Sequence, residues 1–220
     1  MKTTKNLLAV VALSVGLLSA SGANAALTSA LGGQVVNDTD LNLTWLANAN
    51  LAASNTFGVS GINTNGTMNW NTAQSWIGGM NTANYLGFND WRLPNADPSC
   101  GFDYNCTGSE MGHLFYNELG GVADSSILSS LDPDLALFQN VRYLYWSDTE
   151  WASSTTGAWV FHSNSGSQNV YTKTSNLLAW AVRPGQVAVA PVPEPETYAM
   201  LLAGLGLVGF MVRRRKCLAV

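Results

Sequence analysis

RYLYWSDTEWASSTTGAWVFHSNSGSQNVYTKTSNLLAWAVRP, residues 142–184, is the stretch that settles the class of fold. Within it lie four short runs rich in aromatic and β-branched residues, RYLYWS, GAWVFH, QNVYT and LLAWAVRP. Ser, Gly and Asn separate the runs, which is the pattern of strands joined by turns. The stretch therefore predicts an antiparallel block of strands.

Two helices are predicted upstream of this block. Residues 69–80, NWNTAQSWIGGM, have Asn71 or Thr72 as the N-cap and apolar residues at helical spacing, namely Ala73, Trp76, Ile77 and Met80. Residues 107–110, TGSE, read as a capping box that starts the second helix. The apolar face of this helix is Met111, Leu114, Phe115 and Leu119, and the glycine pair at 120–121 ends it.

The remaining segments predict a hairpin and a short strand. Residues 32–46, GGQVVNDTDLNLTWL, favour two strands around an Asn-Asp-Thr-Asp turn, and residues 47–69 favour a loop. Residues 84–95, NYLGFNDWRLPN, predict a turn that leads into a short strand stopped by Pro94. A hairpin, two helices and then a strand block together predict a single α+β domain.

The part of the chain between its two ends is acidic. Residues 26–187 carry twelve Asp and Glu against four Lys and Arg, a net charge near −8, whereas the whole chain has −4. This balance argues against nucleic acid and anionic lipid as partners, since Lys and Arg supply the affinity for both. A segment of this length can bury one real core.

The first 25 residues have the three parts of a signal peptide. Lys2 and Lys5 form the basic start, residues 7–18 the apolar run, and Ala23-Asn24-Ala25 the small-residue cleavage box. We therefore expect signal peptidase to cut after Ala25. The alternative is an uncleaved N-terminal anchor.

The other end contains a short apolar run followed by basic residues. GLGLVG within residues 192–216 matches the dinucleotide fingerprint in letters, but too few residues follow to complete a βαβ unit. An apolar helix over 198–212 before the basic residues 213–220 instead predicts a transmembrane segment with a cytoplasmic tail. It is short for a hydrocarbon core of about 30 Å, which suits a transient anchor.

The residues around this helix resemble a known sorting signal. Pro193, Glu194 and Pro195, the apolar run, and then Arg213, Arg214 and Arg215 resemble the PEP-CTERM signal in order and spacing. The resemblance implies cleavage by an exosortase after transient anchoring in the inner membrane, and delivery to the cell surface or extracellular matrix. The predicted layout is a signal peptide (1–25), an exported domain (26–187), a Pro-rich linker (188–197), the helix (198–212) and the tail (213–220).

A second resemblance covers the exported domain. W-x-x-A at 70–73, GFNDWRLP at 87–94, YWS at 145–147, AWVF at 158–161 and VRP at 182–184 resemble the Lcl C-terminal domain family over about 35–185. The resemblance implies a C-type-lectin-like fold, with two helices and a curved antiparallel sheet. The chain departs from the family pattern at residues 95–109, which are inserted before the Glu110-Met111 helix.

The inserted segment holds two cysteines and several oxygen ligands. Cys100 and Cys106 are exported and close in sequence, which predicts a local disulfide rather than a metal or redox role. Oxygen ligands on a constrained loop are what Ca²⁺ prefers, so the loop is a candidate Ca²⁺ site; its ligands are Asp97, Asp103, Asn105 and Glu110. The alternative is that they are solvated turn residues, and no other cofactor is predicted.

Most of the eight tryptophans fall in strand or helix patterns and are predicted to lie in the core. Trp151 is the one expected to be most exposed, because its neighbours are turn residues; it could stack on a sugar ring or pack as a loop residue.

Arg92 is predicted to be a buried structural arginine paired with a carboxylate. His113 and His162 belong to no metal-binding or catalytic motif.

These features together predict a non-enzymatic cell-surface or matrix protein that adheres to or organises extracellular polysaccharide. Two alternatives stay open: a metal-dependent or carbohydrate-modifying enzyme on a lectin-like scaffold, and a purely structural matrix component. The family resemblance suggests sulfated glycans as one ligand class. The net charge near −8 instead favours neutral or cation-bridged sugars.

Overall fold

The computed structural model of the chain describes residues 27–189 and residues 204–205. The predicted signal peptide (1–25) lies outside the described residues. So do the sorting motif, the transmembrane helix and the basic tail, apart from residues 204–205. In the described part of the chain, no helix is both long enough and apolar enough to cross a membrane.

The first sheet has four antiparallel strands in the order β1-β2-β3-β7. They are β1 (Leu27–Ala30), β2 (Val35–Asp38), β3 (Leu43–Leu46) and β7 (Val182–Pro184). The predicted hairpin is confirmed as β2 and β3, with Val36 opposite Trp45. Its turn is closed where the Leu41 backbone N–H donates to Asp38 Oδ1 over 2.9 Å.

The second sheet has three antiparallel strands in the order β4-β5-β6. They are β4 (Leu144–Glu150), β5 (Gly157–His162) and β6 (Ser167–Thr172). The prediction that LLAWAVRP continues this block is wrong, since only its last three residues form a strand, and that strand pairs with β3 of the first sheet. Residues 177–181 are buried and cross from one sheet to the other, so their apolar pattern reflects a core crossing.

The first helix, α1 (Trp70–Thr82), buries the predicted face, namely Ala73, Trp76, Ile77 and Met80. Its N-cap is Asn69, which corrects the predicted Asn71 or Thr72. Asn69 has extended backbone angles, and its side chain accepts a hydrogen bond of 2.9 Å from the Thr72 backbone N–H. The helix begins earlier because the buried Trp70 indole is anchored to the Ser147 carbonyl of β4.

The second helix, α2 (Glu110–His113), continues into a π-helical turn, Leu114–Glu118, before the chain reaches Gly120. The predicted capping box, with Thr107 as the N-cap, is wrong. The N-cap is Ser109, whose Oγ accepts a hydrogen bond from the Gly112 backbone N–H. The predicted apolar face is buried as expected. Five 3₁₀ turns complete the described chain: Leu51–Ala53, Tyr85–Gly87, Pro98–Cys100, Ile127–Ser129 and Pro133–Leu137.

The strand predicted before Pro94 is reduced to a single bridge between Arg92 and Val182.

Tryptophans make up much of the core. Among the most buried side chains are Trp45, Trp76, Trp91 and Trp146. Most of their indole N–H groups donate to a backbone carbonyl of another segment, as Trp146 does to Met68 and Trp180 does to Leu46. The described body therefore contains two helices and two antiparallel sheets, the predicted α+β class.

Candidate functional site

The inserted segment forms a loop closed by a disulfide. Cys100 and Cys106 are bonded, with their Cα atoms 5.6 Å apart, as the sequence predicted. The loop begins where Asp97 caps the turn Pro98–Cys100 by accepting a hydrogen bond from the Ser99 backbone N–H. It returns through Asn105, whose φ of 58° lies in the left-handed region that asparagine tolerates better than most residues.

Gln168 fixes the loop to the second sheet. This β6 residue is only 1% exposed, and its Nε2 donates to the Asp97 carbonyl over 2.8 Å while its Oε1 accepts from the Asp97 N–H. Its own backbone N–H donates to the Asp103 carbonyl over 2.9 Å. Because one buried residue holds both arms of the loop, the loop is rigidly placed over the sheet.

The loop presents aromatic side chains to solvent. Phe102 is 59% exposed and Tyr104 is 39% exposed. The Phe102 ring stacks on the buried Trp159, with centroids 5.3 Å apart, and meets the edge of Trp151 at 6.4 Å. We call Phe102 and Trp151 the aromatic face; the Tyr104 hydroxyl is instead 3.5 Å from Asp124 Oδ1.

Trp151 is half-buried, so it is less exposed than its turn-like neighbours predicted. It follows β4 and packs over Gly157, where an added Cβ would lie 3.3 Å from the indole. Sequence reasoning missed Phe102 and Tyr104, because they stand singly among polar residues. The signal available was their place between the two cysteines of an insertion, where a short closed loop has no interior to bury them.

The acidic residues of the loop serve the structure around it. Both oxygens of Glu110 accept hydrogen bonds from Arg92, at 2.6 and 2.7 Å, and Oε2 also accepts from the Asn95 N–H. Burial alone would lower the pKa of Arg92, but the hydrogen bonds and charge of Glu110, together with the charge of Asp148, outweigh it and raise that pKa. The predicted pairing of Arg92 with a carboxylate is thus confirmed, although its side chain is 26% exposed rather than buried.

The three predicted carboxylate ligands of Ca²⁺, Asp97, Asp103 and Glu110, do not all lie within 4.8 Å of one another. Among the described residues, the groups of three or more metal-ligating side chains within 4.8 Å of one another include neither Asp103 nor Glu110. Asp97 does lie beside Cys100 and Cys106, but those sulfurs are bonded to each other and offer no thiolate. Asp103 caps its own turn through the Tyr104 N–H, and Asn105 shapes the return of the loop. Ca²⁺ binding at this loop stays a prediction.

The two histidines lie apart from the loop. His113 Nε2 is 3.0 Å from Glu118 Oε1 on the π-helical turn. His162, at the end of β5, has a buried Nε2 without a hydrogen-bond partner in the described part of the chain, and burial lowers its pKa. His162 therefore favours the neutral form in the folded protein.

Comparison with known protein families adds two matches. Residues 191–216 match the PEP-CTERM protein-sorting motif, which marks an exported protein that an exosortase processes and that reaches the cell surface or the extracellular space. No curated protein matches the chain. Residues 34–183, well over half of the 220, match the Lcl C-terminal domain. The chain therefore belongs to the Lcl C-terminal domain family.

Proposed function

We propose that this exported protein adheres to extracellular polysaccharide through the aromatic face, on a C-type-lectin-like fold. The observation that carries the proposal is Phe102, which is 59% exposed although it stacks on Trp159 beneath it. A ring held in this way presents its outer side to solvent. Sugar rings bind such surfaces through the apolar C–H groups of their faces, and aromatic side chains provide large area at low conformational cost.

The rigidity of the loop favours ligand binding. The disulfide and Gln168 fix the loop before any ligand arrives, so little ordering entropy is lost on binding. Exposed polar residues of the loop next to Phe102, such as Asp103, offer hydrogen-bond groups beside the apolar surface. This combination of an apolar platform and a polar rim is typical of ligand sites.

The charge of the domain narrows the class of ligand. A net charge near −8 over residues 26–187 repels sulfated and uronic-acid polymers unless a cation bridges the two surfaces. The proposed ligand is therefore a neutral polysaccharide. We propose binding without turnover, since Glu110, the carboxylate at the end of the loop, holds Arg92 through both oxygens.

A glycan array probed with the exported, disulfide-bonded protein tests this proposal. We expect signal on neutral glycans that the Phe102→Ala variant reduces at least tenfold and that EDTA leaves unchanged. Leu128→Ala is the matched control, because Leu128 is also apolar and 59% exposed but belongs to the turn Ile127–Ser129. Absence of signal on every glycan, or equal losses in both variants, would refute the proposal. Loss of the signal with EDTA would instead support a cation-bridged ligand.

A further inference from the structure

A second cluster of polar side chains lies away from the aromatic face. Asp38 ends β2, His113 ends α2, and Glu118 ends the π-helical turn. One ligand atom from each of the three lies within 4.8 Å of the others. The cluster joins the hairpin of the first sheet to the second helix, and His113 lies 75 positions after Asp38 in the sequence.

The three side chains are nearly removed from water. Asp38 is 0% exposed and Glu118 is 6% exposed, while the His113 side chain retains 12% exposure. His113 is thus the most exposed side chain of the three. Burying two acidic groups side by side is costly unless a positive charge accompanies them.

No lysine or arginine of the described chain supplies that charge. In residues 27–189, the ion pairs of Lys and Arg are made with Glu110, Glu150 and Asp90, and none reaches Asp38 or Glu118. The exposed Asp40 adds a third negative charge nearby. His113 is the one basic group in contact with Glu118 in the described chain.

The carboxylate oxygens of Asp38 are oriented by hydrogen bonds and can still coordinate a metal ion. Asp38 Oδ1 accepts from the Leu41 N–H at 2.9 Å and Oδ2 from the Trp45 indole at 3.3 Å. Each carboxylate oxygen keeps a further lone pair. Hydrogen bonds of this kind orient a ligand from behind and strengthen metal binding.

The imidazole is also oriented for coordination. His113 Nε2 faces Glu118 at 3.0 Å, and the side-chain amide of Asn117 lies 3.3 Å from Nδ1. With the amide turned over, Nδ1–H donates to the Asn117 oxygen, and a metal ion at Nε2 would replace the proton that Nε2 shares with Glu118 Oε1. Small movements of the side chains bring all three donors to the distance of about 2.0–2.2 Å that Zn²⁺ requires.

We propose that Asp38, His113 and Glu118 bind a divalent transition cation, best matched by Zn²⁺, with water completing the coordination. Two carboxylates and one imidazole form a set of oxygen and nitrogen ligands that zinc accepts, and the imidazole disfavours Ca²⁺ and Mg²⁺. The ion neutralises the buried acidic pair and ties the β2–β3 hairpin to α2. This site is independent of glycan binding by the aromatic face.

Zinc titration of the tag-free, disulfide-bonded exported protein, freed of metal with a chelator, tests the assignment. We expect one Zn²⁺ per chain by calorimetry and by elemental analysis, and a higher unfolding temperature with zinc than without. His113→Gln and Glu118→Gln should each weaken the affinity at least tenfold. Asp40→Asn, a neighbouring acid outside the three ligands, is the matched control and should change it less than about threefold.

Several results would overturn the assignment. These are a wild-type protein that takes up no zinc, zinc affinity retained in both ligand variants, and Ca²⁺ competing for the site at equal concentration. Near-UV circular dichroism of each variant checks the fold. If either variant fails to fold, the d–d absorption of Co²⁺ on the wild-type protein decides: tetrahedral or five-coordinate bands without thiolate charge transfer support the site, and their absence contradicts it.

Discussion

The Arg92–Glu110 pair shows how one ion pair organises the base of the candidate site. It joins the segment before Pro94 to the first residue of α2, and Glu110 also holds the Asn95 N–H where the loop departs. Both side chains are mostly shielded, at 26% and 16% exposure. A bidentate pair in this setting is stronger than an ordinary surface ion pair.

We expect Glu110→Gln to lower the free energy of unfolding by about 2 kcal/mol, because it leaves a shielded arginine without its countercharge. Urea unfolding monitored by tryptophan fluorescence measures the effect. Glu150→Gln is the control, since Glu150 pairs with Lys173 at 2.9 Å but is 49% exposed, and its loss should cost less than about 1 kcal/mol. Equal costs would show that the Arg92 pair is an ordinary surface contact.

His162 makes stability depend on pH. Its pKa is lowered in the folded protein by burial, so the unfolded chain binds a proton first as the pH falls. Stability is therefore complete above the unfolded pKa of about 6.5 and declines as the pH drops from there toward the lower folded value.

The His162→Phe variant keeps a ring beside Tyr171 and removes the titrating group. The free energy of unfolding, measured in urea between pH 5 and 8, should then fall less steeply with acid than in the wild type. Other groups titrate in both proteins and cancel in the difference. Parallel curves would show that burial of His162 carries no such linkage.

Among the helices and strands, those with a strong local period were predicted well. The buried face of α1 followed from the spacing of Ala73, Trp76 and Ile77, and the β2–β3 hairpin followed from its turn residues. The N-cap positions were missed because several polar residues next to the start of a helix can act as the N-cap. At α1 the tertiary bond from Trp70 to Ser147 selects Asn69.

The helix cap offers a direct check. Asn69→Ala should lower the free energy of unfolding by about 1 kcal/mol, because the Thr72 N–H then loses its acceptor. Asn71→Ala, at the position that the sequence pattern favoured, should change it by less than about 0.5 kcal/mol. Urea unfolding of both variants gives the comparison, and a larger cost at Asn71 would reverse the assignment of the cap.

The disulfide that closes the loop was predicted from the sequence, but the stacking of Phe102 on Trp159 was not. Replacing both Cys100 and Cys106 by Ser should cost about 2 kcal/mol of stability, since the bridge closes a short loop. Ligand affinity should fall as well, because Phe102 is then no longer held over Trp159. Thermal unfolding and glycan binding of the double variant measure the two effects; unchanged binding would show that Gln168 alone fixes the loop.

At the scale of the whole molecule, the two candidate sites belong to different sheets. The aromatic face lies over the three-stranded sheet, whereas Asp38, His113 and Glu118 connect the four-stranded sheet to α2. Residues 177–181 cross between the sheets, and Trp180 packs there against Trp45 and Tyr145. A local pattern does not reveal such a crossing, because a buried crossing segment and a buried strand are equally apolar.

The same limit applies to the sites. Trp151 and the disulfide loop were predicted from their neighbours in sequence, whereas the position of Phe102 depends on its contact with Trp159 of β5. The Asp38–His113–Glu118 cluster carries no motif, since its members meet only through the packing of the hairpin on α2. Local composition thus predicts where a loop lies, and tertiary packing determines what it presents.

The most direct test is co-sedimentation of the exported protein with purified extracellular polysaccharide from the cells that make it. We predict that the wild-type protein sediments with the polymer, that Phe102→Ala binds at least tenfold more weakly, and that Leu128→Ala binds like the wild type. A wild-type protein that stays in the supernatant at every polymer concentration, or a Phe102→Ala variant that binds equally well, would contradict the account.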